Sequence, residues 1–190
     1  MSNNLYIITA PSGAGKTTLI KRVLEYAQEH NKKVSLSISH TTRAPRDGEE
    51  HGVDYVFVSE KEFKENIEKG EYIEHATVHG NYYGTPKSQI DRDLIKDLKI
   101  LLEIDWQGAL QIMDHYPNAE SIFISPPSVD ELRTRLMERG LDSEDVINRR
   151  IAGAQIEMDK SSNFKHQITN ISLDIATKNL LNIMFRENHG

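Results

Sequence analysis

Cysteine is absent from the chain, which excludes disulfides and thiolate metal sites and leaves stability to a hydrophobic core. Long apolar runs are missing as well. No stretch approaches the roughly 20 residues that a membrane span needs, and the apolar segment near the N-terminus, Leu5–Thr9, is too short and lacks the basic flank of a secretory leader. A soluble, unexported protein is expected, and the lack of cysteine fits a reducing cytoplasm. Basic charge is in deficit: 23 Lys and Arg face 29 Asp and Glu, a net charge of −6. That balance argues against a nucleic-acid polymer as partner, because such binding relies on an extended basic surface. Small anions stay open, since the basic residues that exist are clustered. His75 and His79 have the spacing of a helical metal pair, but Thr77, Val78 and Gly80 make the stretch extended, so solvated histidines are expected there. With 190 residues, 37% of them hydrophobic, the chain can bury one substantial core.

What is present begins with residues 10–18: Ala10, Pro11, Ser12, Gly13, Ala14, Gly15, Lys16, Thr17 and Thr18. An apolar strand pattern precedes them and a helical pattern over 17–28 follows. This is the spacing and the context of a phosphate-binding P-loop, with Ala10 where the usual pattern has its first glycine. Glycines at 13 and 15 allow the backbone to turn its N–H groups towards phosphate. Lys16 supplies a point charge to the β and γ phosphates, Thr17 a hydroxyl for Mg²⁺, and the helix start the positive end of its dipole.

A second strand pattern, 34–38, leads into a Pro- and Gly-bearing loop over 39–48 that presents Arg43 and Arg46. Guanidinium forks bind phosphate oxygens bidentately, so this loop reads as a second anion site. Residues 54–58 alternate as a strand, and Ser59 with Glu62 forms a capping box for a helix that Gly70 closes. Residues 72–76 and 81–85 are extended and turn-rich, before a helix beginning near Pro86. The run 100–105 is a buried strand ending in the acids Glu103 and Asp105, where a P-loop protein keeps its metal-side carboxylate. A strand over 121–125 follows. Ser128 to Glu131 opens a helix carrying Arg133, Arg135 and Arg139, and Arg149 and Arg150 lie beyond a loop, which suggests an arginine-rich hairpin. A strand over 168–171 and a helix over 172–188 close the chain.

Alternating strands and helices imply a parallel sheet covered by helices, with ligands at the carboxyl ends of its strands, where the P-loop, the 103–105 acids and the 39–46 loop all fall. Two phosphate sites suit transfer of a γ-phosphoryl group onto another phosphate, a reaction made mostly of positioning and charge neutralisation. An acceptor phosphate, with a second pKa near 6, needs no general base at neutral pH.

At these residues the chain closely resembles the guanylate kinases, in their bacterial form. The likeness covers essentially the whole sequence and rests on APSGAGKT at 10–17, SHTTRAPRDGE at 39–49, DYVFV at 54–58, NYYGT at 81–85, IDWQG at 104–108 and PPS at 126–128. That family also has alanine at the position of Ala10. The resemblance implies an α/β fold: a P-loop NTPase three-layer α/β/α core with a parallel sheet (residues 1–36, 89–126 and 156–190), a mixed α+β GMP-binding insert (37–88) and a helical lid (127–155), forming one unit over about 3–185. It implies ATP and GMP or dGMP as substrates with Mg²⁺, in a monomer or homodimer.

Carried over by position, Arg43, Arg46, Tyr55 and Tyr83 would hold the GMP phosphate, and Ser39, Glu74 and Thr85 the guanine. Asp105 matches the acid near the acceptor nucleotide. Arg135, Arg139 and Arg150 match the lid arginines that neutralise the migrating phosphoryl group, and Asn170 the residue near adenine. In two places the chain departs from the family pattern. Glu103 stands where Asp is usual, adding a methylene beside the metal and acceptor, and Ile171 and Ser172 stand where acids usually follow Asn170. Two other readings are a non-catalytic phosphopeptide-binding module on the same fold and a kinase for another nucleoside monophosphate; the first need not keep Lys16, Thr17 and the lid arginines.

Overall fold

The computed structural model describes residues 4–78, 80–138, 140 and 143–185. In chain order its elements are β1 (Leu5–Thr9), α1 (Lys16–Glu29), β2 (Val34–Ser37), β3 (His40–Thr41), β4 (Val56–Phe57), α2 (Glu60–Glu68), β5 (Tyr72–Val78) and β6 (Asn81–Pro86). They continue with α3 (Lys87–Ile95), β7 (Lys99–Glu103), α4 (Trp106–His115), β8 (Glu120–Ser125), α5 (Val129–Glu138), α6 (Glu144–Asp159), β9 (His166–Thr169) and α7 (Leu173–Phe185). Two compact units result. The first takes the chain up to Ile7 and from Lys33 to Ala119, the second from Ile8 to Lys32 and from Glu120 onward, so the boundary passes through β1.

In the first unit the strand order is β2-β7-β1, and β2 runs parallel to β7 with Val34 opposite Lys99. Ile100, Leu101 and Leu102 are fully buried, the unbroken apolar run of an interior parallel strand. Gln89 of α3 satisfies backbone groups at the end of β2: its amide donates to Leu36 O and its oxygen accepts from Ile38 N, both at 3.0 Å. That fixes where the chain leaves the sheet for the 39–48 loop.

A second sheet, ordered β4-β3-β6-β5, occupies the stretch between, with β3 and β4 parallel and β3-β6 and β6-β5 antiparallel. Phe63 of α2 stacks on Tyr72 and Tyr82 at ring distances of 4.6 and 5.4 Å, and Gly84 leaves room for these rings. Tyr82 and Gly84 therefore face α2, and by the two-residue strand period Tyr83 and Thr85 face the other way. In β5 the register slips between Tyr72 and Glu74, a bulge that turns Glu74 to the Thr85 side although Tyr72 faces α2.

In the second unit the order is β1-β8-β9, and β8 and β9 are parallel with Ile122 opposite His166. The apolar stripe Leu19, Ile20, Val23 and Ala27 buries one face of α1, and Ala176, Leu180 and Met184 bury one face of α7. Leu132, Leu136, Ile147 and Ala154 make a small core for the α5–α6 hairpin.

Several boundaries differ from the sequence expectation, each for a local reason. The 39–48 loop contains β3, since Thr41 and Thr42 bond Tyr82 of β6 through their hydroxyls at 3.0 and 2.9 Å. The strand over 54–58 shortens to β4, because the Asp54 carboxylate accepts from Glu50 N at 2.9 Å and draws the start into a turn. The last strand begins earlier, at His166, whose ring pairs with Glu120 on β8 at 2.6 Å. Residues 186–188 of the expected closing helix, and His79, lie outside the described residues.

Candidate active site

In the first unit the residues expected to hold an acceptor phosphate gather around Arg43, on the face of the mixed sheet turned away from α2. Arg43 donates from Nε to the Tyr83 hydroxyl at 3.1 Å and lies 5.5 Å over the Tyr55 ring. Its Nη2 meets both oxygens of Glu49 at 2.8 and 2.9 Å, and Glu49 also accepts from the Arg46 N–H at 2.8 Å. Burial disfavours the Arg43 cation, but the bonds to Glu49 and Tyr83 more than offset this and raise its pKa. Burial also works against the Glu49 carboxylate, and the Arg43 and Arg46 donors outweigh it and lower its pKa. Burial first, then the Glu103 and Tyr83 charges, push the Tyr55 phenol up to about 12. At neutral pH Tyr55 is thus a neutral donor.

Beside this holder lies a buried carboxylate. Glu74, 4% exposed, accepts the Thr85 hydroxyl at 2.5 Å. Burial, followed by the nearby Asp105 charge, raises its pKa to about 7 although the Thr85 bonds pull the other way. Asp105 caps α4, its Oδ1 accepting from Gly108 N at 2.8 Å. Ser39 is buried at the entry to β3. Tyr83 and Thr85 are two residues apart on β6, so the anion holder and the carboxylate are separated by about 7 Å along one strand face. That span suits a mononucleotide whose phosphate and base edge are both read.

The second unit holds the glycine-bearing loop expected to bind a triphosphate. Gly13 and Gly15 have φ of 93° and 94°, which favours glycine, and Ala14 N bonds Pro11 O at 3.0 Å to close the turn. A Cβ on Gly15 would collide with the Asn170 amide, and one on Gly13 would press the Leu132 and Leu136 methyls at 3.0 Å. Gly15 is the N-cap of α1, whose first residues are Lys16 and Thr17, so the helix dipole ends at the loop. Asn170 donates from Nδ2 to Ala14 O at 2.8 Å, its own carbonyl accepts from Arg135 Nη2 at 3.2 Å, and Arg150 donates to the Ser12 hydroxyl at 3.3 Å.

Among the expected site residues, the first unit brings together Arg43, Tyr55 and Tyr83, places Arg46 in the same loop, and sets Glu74 with Thr85 and Asp105. The second gathers the P-loop with Asn170, Arg135 and Arg150. Arg139 lies outside the described residues. Sequence reasoning missed Glu49 as the partner of Arg43; the signal was an acid closing the arginine loop just past the Gly48 turn. It also missed the β5 bulge, which has no signature in the residue pattern.

The guanylate kinase family model matches residues 2–187. The chain is 48% identical over 183 residues to the guanylate kinase of Escherichia coli K12 and 47% identical over 183 residues to that of Hydrogenovibrio crunogenus, covering 96% of this chain and 87% of each relative. It is also similar to the crystal structure of guanylate kinase from Anaplasma phagocytophilum, with a TM-score of 0.77 at 33% identity over 98% of this chain and 86% of that one. Family model, relatives and structure agree over nearly the full length, and the chain belongs to the guanylate kinase family.

Proposed function

We propose that this protein transfers the γ-phosphoryl group of ATP to GMP, giving ADP and GDP, and that the residues above divide the work between its two units. The observation that carries the base assignment is the pairing on one sheet face of a phosphate holder with a buried carboxylate acceptor. Guanine presents adjacent N1–H and N2–H donors to which a carboxylate can accept twice, whereas adenine offers no such pair on that edge. Arg43, Arg46, Tyr55 and Tyr83 hold the acceptor phosphate, and Ser39, Glu74 and Thr85 meet the base. Asp105 stands beside the acceptor nucleotide. The Tyr83 oxygen accepts from Arg43, so its own proton is left to donate to phosphate. Glu49 pairs with both its oxygens to Arg43 Nη2 and holds the guanidinium in place.

In the second unit, residues 10–18 wrap the triphosphate, Lys16 neutralises its β and γ oxygens, and Arg135, Arg139 and Arg150 stabilise the charge on the migrating group. Asn170 belongs on the adenine side. Residues 37–88 act as the GMP-binding insert and 127–155 as the lid that keeps water from the γ-phosphate. Among the described residues no group of three or more His, Cys, Asp or Glu could hold a metal. Hard oxygens fit Mg²⁺, and we assign the Thr17 hydroxyl at the start of α1 to an ion bound with the nucleotide; the Glu103 carboxylate at the end of β7 is the second candidate donor, through water. Bound there, the ion would screen the phosphate charge. No helix among the described residues is long and apolar enough to cross a membrane. We place the enzyme in the cytoplasm, acting on free nucleotides as a monomer or homodimer.

An ADP-release assay with each nucleoside monophosphate tests the proposal: turnover is expected with GMP and dGMP and not with AMP, CMP or UMP. Equal rates with AMP and GMP would remove the guanine assignment.

A pH dependence follows from Glu74. Its carboxyl ionises at about 7 in the folded protein against 4.5 for the ordinary group, so the folded protein binds a proton that the unfolded chain has lost, and stability falls as pH rises between those values. Guanine needs the ionised form, so GMP binding runs the other way. The KM for GMP is expected to rise by about tenfold per pH unit as pH falls below 7, while the KM for ATP changes little. A flat GMP profile from pH 5.5 to 8 would mean that Glu74 does not meet the base.

A further inference from the structure

Gly108 sits in the first turn of α4 with helical backbone angles and is buried. Nothing in its conformation calls for glycine, and alanine is the better helix former at such a position. What the position excludes is a side chain. A Cβ built there would collide with Glu74 Oε2, come to 2.8 Å from Glu74 Cδ and to 3.3 Å from Asp105 Oδ1. Contacts of that kind force something to move.

Neither neighbour can yield cheaply. Glu74 is buried and its other oxygen is held by Thr85 at 2.5 Å. The helix is held as well: Gln111 of α4 donates to His75 O at 2.9 Å and accepts from His75 N at 3.3 Å, one residue beyond Glu74. The start of the same helix is fastened by the Asp105 cap on Gly108 N. A methyl group at 108 would therefore displace the Glu74 carboxylate, because the backbone on both sides is tied.

From this we infer that Gly108 is a positioning residue for base selection: the missing side chain reserves the space that sets where the Glu74 carboxylate lies relative to the incoming base. The inference rests on the guanine reading of Glu74. It assigns α4 a part in choosing the substrate, although its own side chain at this position is nothing.

The test compares Gly108→Ala, Glu74→Ala and the double variant, measuring kcat and the KM for GMP, AMP and ATP. Gly108→Ala is expected to raise the KM for GMP by about tenfold or more and to narrow the preference for GMP over AMP, with the KM for ATP unchanged. In the Glu74→Ala background, where the space is open, the same change should alter the GMP KM by less than about twofold. Glu74→Asp with Gly108→Ala, whose shorter acid retreats from the methyl, should recover part of the loss. An unchanged GMP KM in Gly108→Ala, or an equal loss with and without Glu74, overturns the inference while leaving Glu74 as base reader. A Glu74→Ala enzyme with normal GMP KM and normal base choice removes the reading beneath it, and the inference with it. Should Gly108→Ala fail to fold, the double variant must still melt like Glu74→Ala; a double variant that also fails overturns the proposal.

Discussion

Replacing Lys16 with Met is expected to lower kcat by on the order of 10²- to 10³-fold, the usual loss when one preorganised stabiliser of developing charge is removed. Methionine keeps an unbranched apolar stem out to the ε-carbon, with sulfur in place of Cδ, and lacks the ammonium. Lys16 opens α1 directly after Gly15, and the loop before it carries the positive φ angles of Gly13 and Gly15 and the backbone bond from Ala14 to Pro11. GMP affinity should be unchanged, because the residues assigned to GMP all belong to the other unit. Stopped-point ADP release gives the first quantity and calorimetric titration with GMP the second. A variant that turns over within about threefold of the parent would refute the P-loop role of Lys16.

The other large effect is expected at Glu74. Alanine there removes the acceptor proposed for both guanine donors, and charge-assisted hydrogen bonds of that kind are worth about 1.5–3 kcal/mol each. The specificity constant for GMP should fall by about 10²- to 10⁴-fold while that for AMP changes little, so the ratio between the two bases collapses. Two side effects give the result its meaning. The acid-side rise in the GMP KM should vanish with the carboxyl, and the Thr85 hydroxyl, which now donates to Glu74, loses its partner. A GMP-to-AMP ratio that survives the substitution would assign base choice to Ser39 and Thr85 alone.

Much of the site was readable before any coordinates. The P-loop declares itself through glycines at fixed offsets between a strand and a helix, and Ser59 accepts from Glu62 N at 3.2 Å as the capping pattern predicts. The N-terminus of α5 behaves likewise, with Glu131 N bonded to the Ser128 hydroxyl at 3.0 Å. These are local devices: the residues that make the bond are three apart, so the signal survives in one dimension. The family resemblance, carried by motifs spread over the chain, supplied the residues proposed to meet GMP. Glu49 was hidden because its partners are chosen by how the 39–48 loop folds back, and a surface acid has the same composition whether it faces water or an arginine.

By itself the sequence determined the phosphate loop, the alternation of strands and helices and the residues available to meet a nucleotide, because backbone turn preference, side-chain period and capping act over a few residues. Only tertiary structure decided that Glu74 leaves the face shared with Tyr72 and that a side chain at 108 would meet the Glu74 carboxylate. The first depends on the register of β5 against β6, the second on the approach of α4 to β5. Registers and approaches are set by packing between residues far apart in the chain, and no short stretch of sequence contains them.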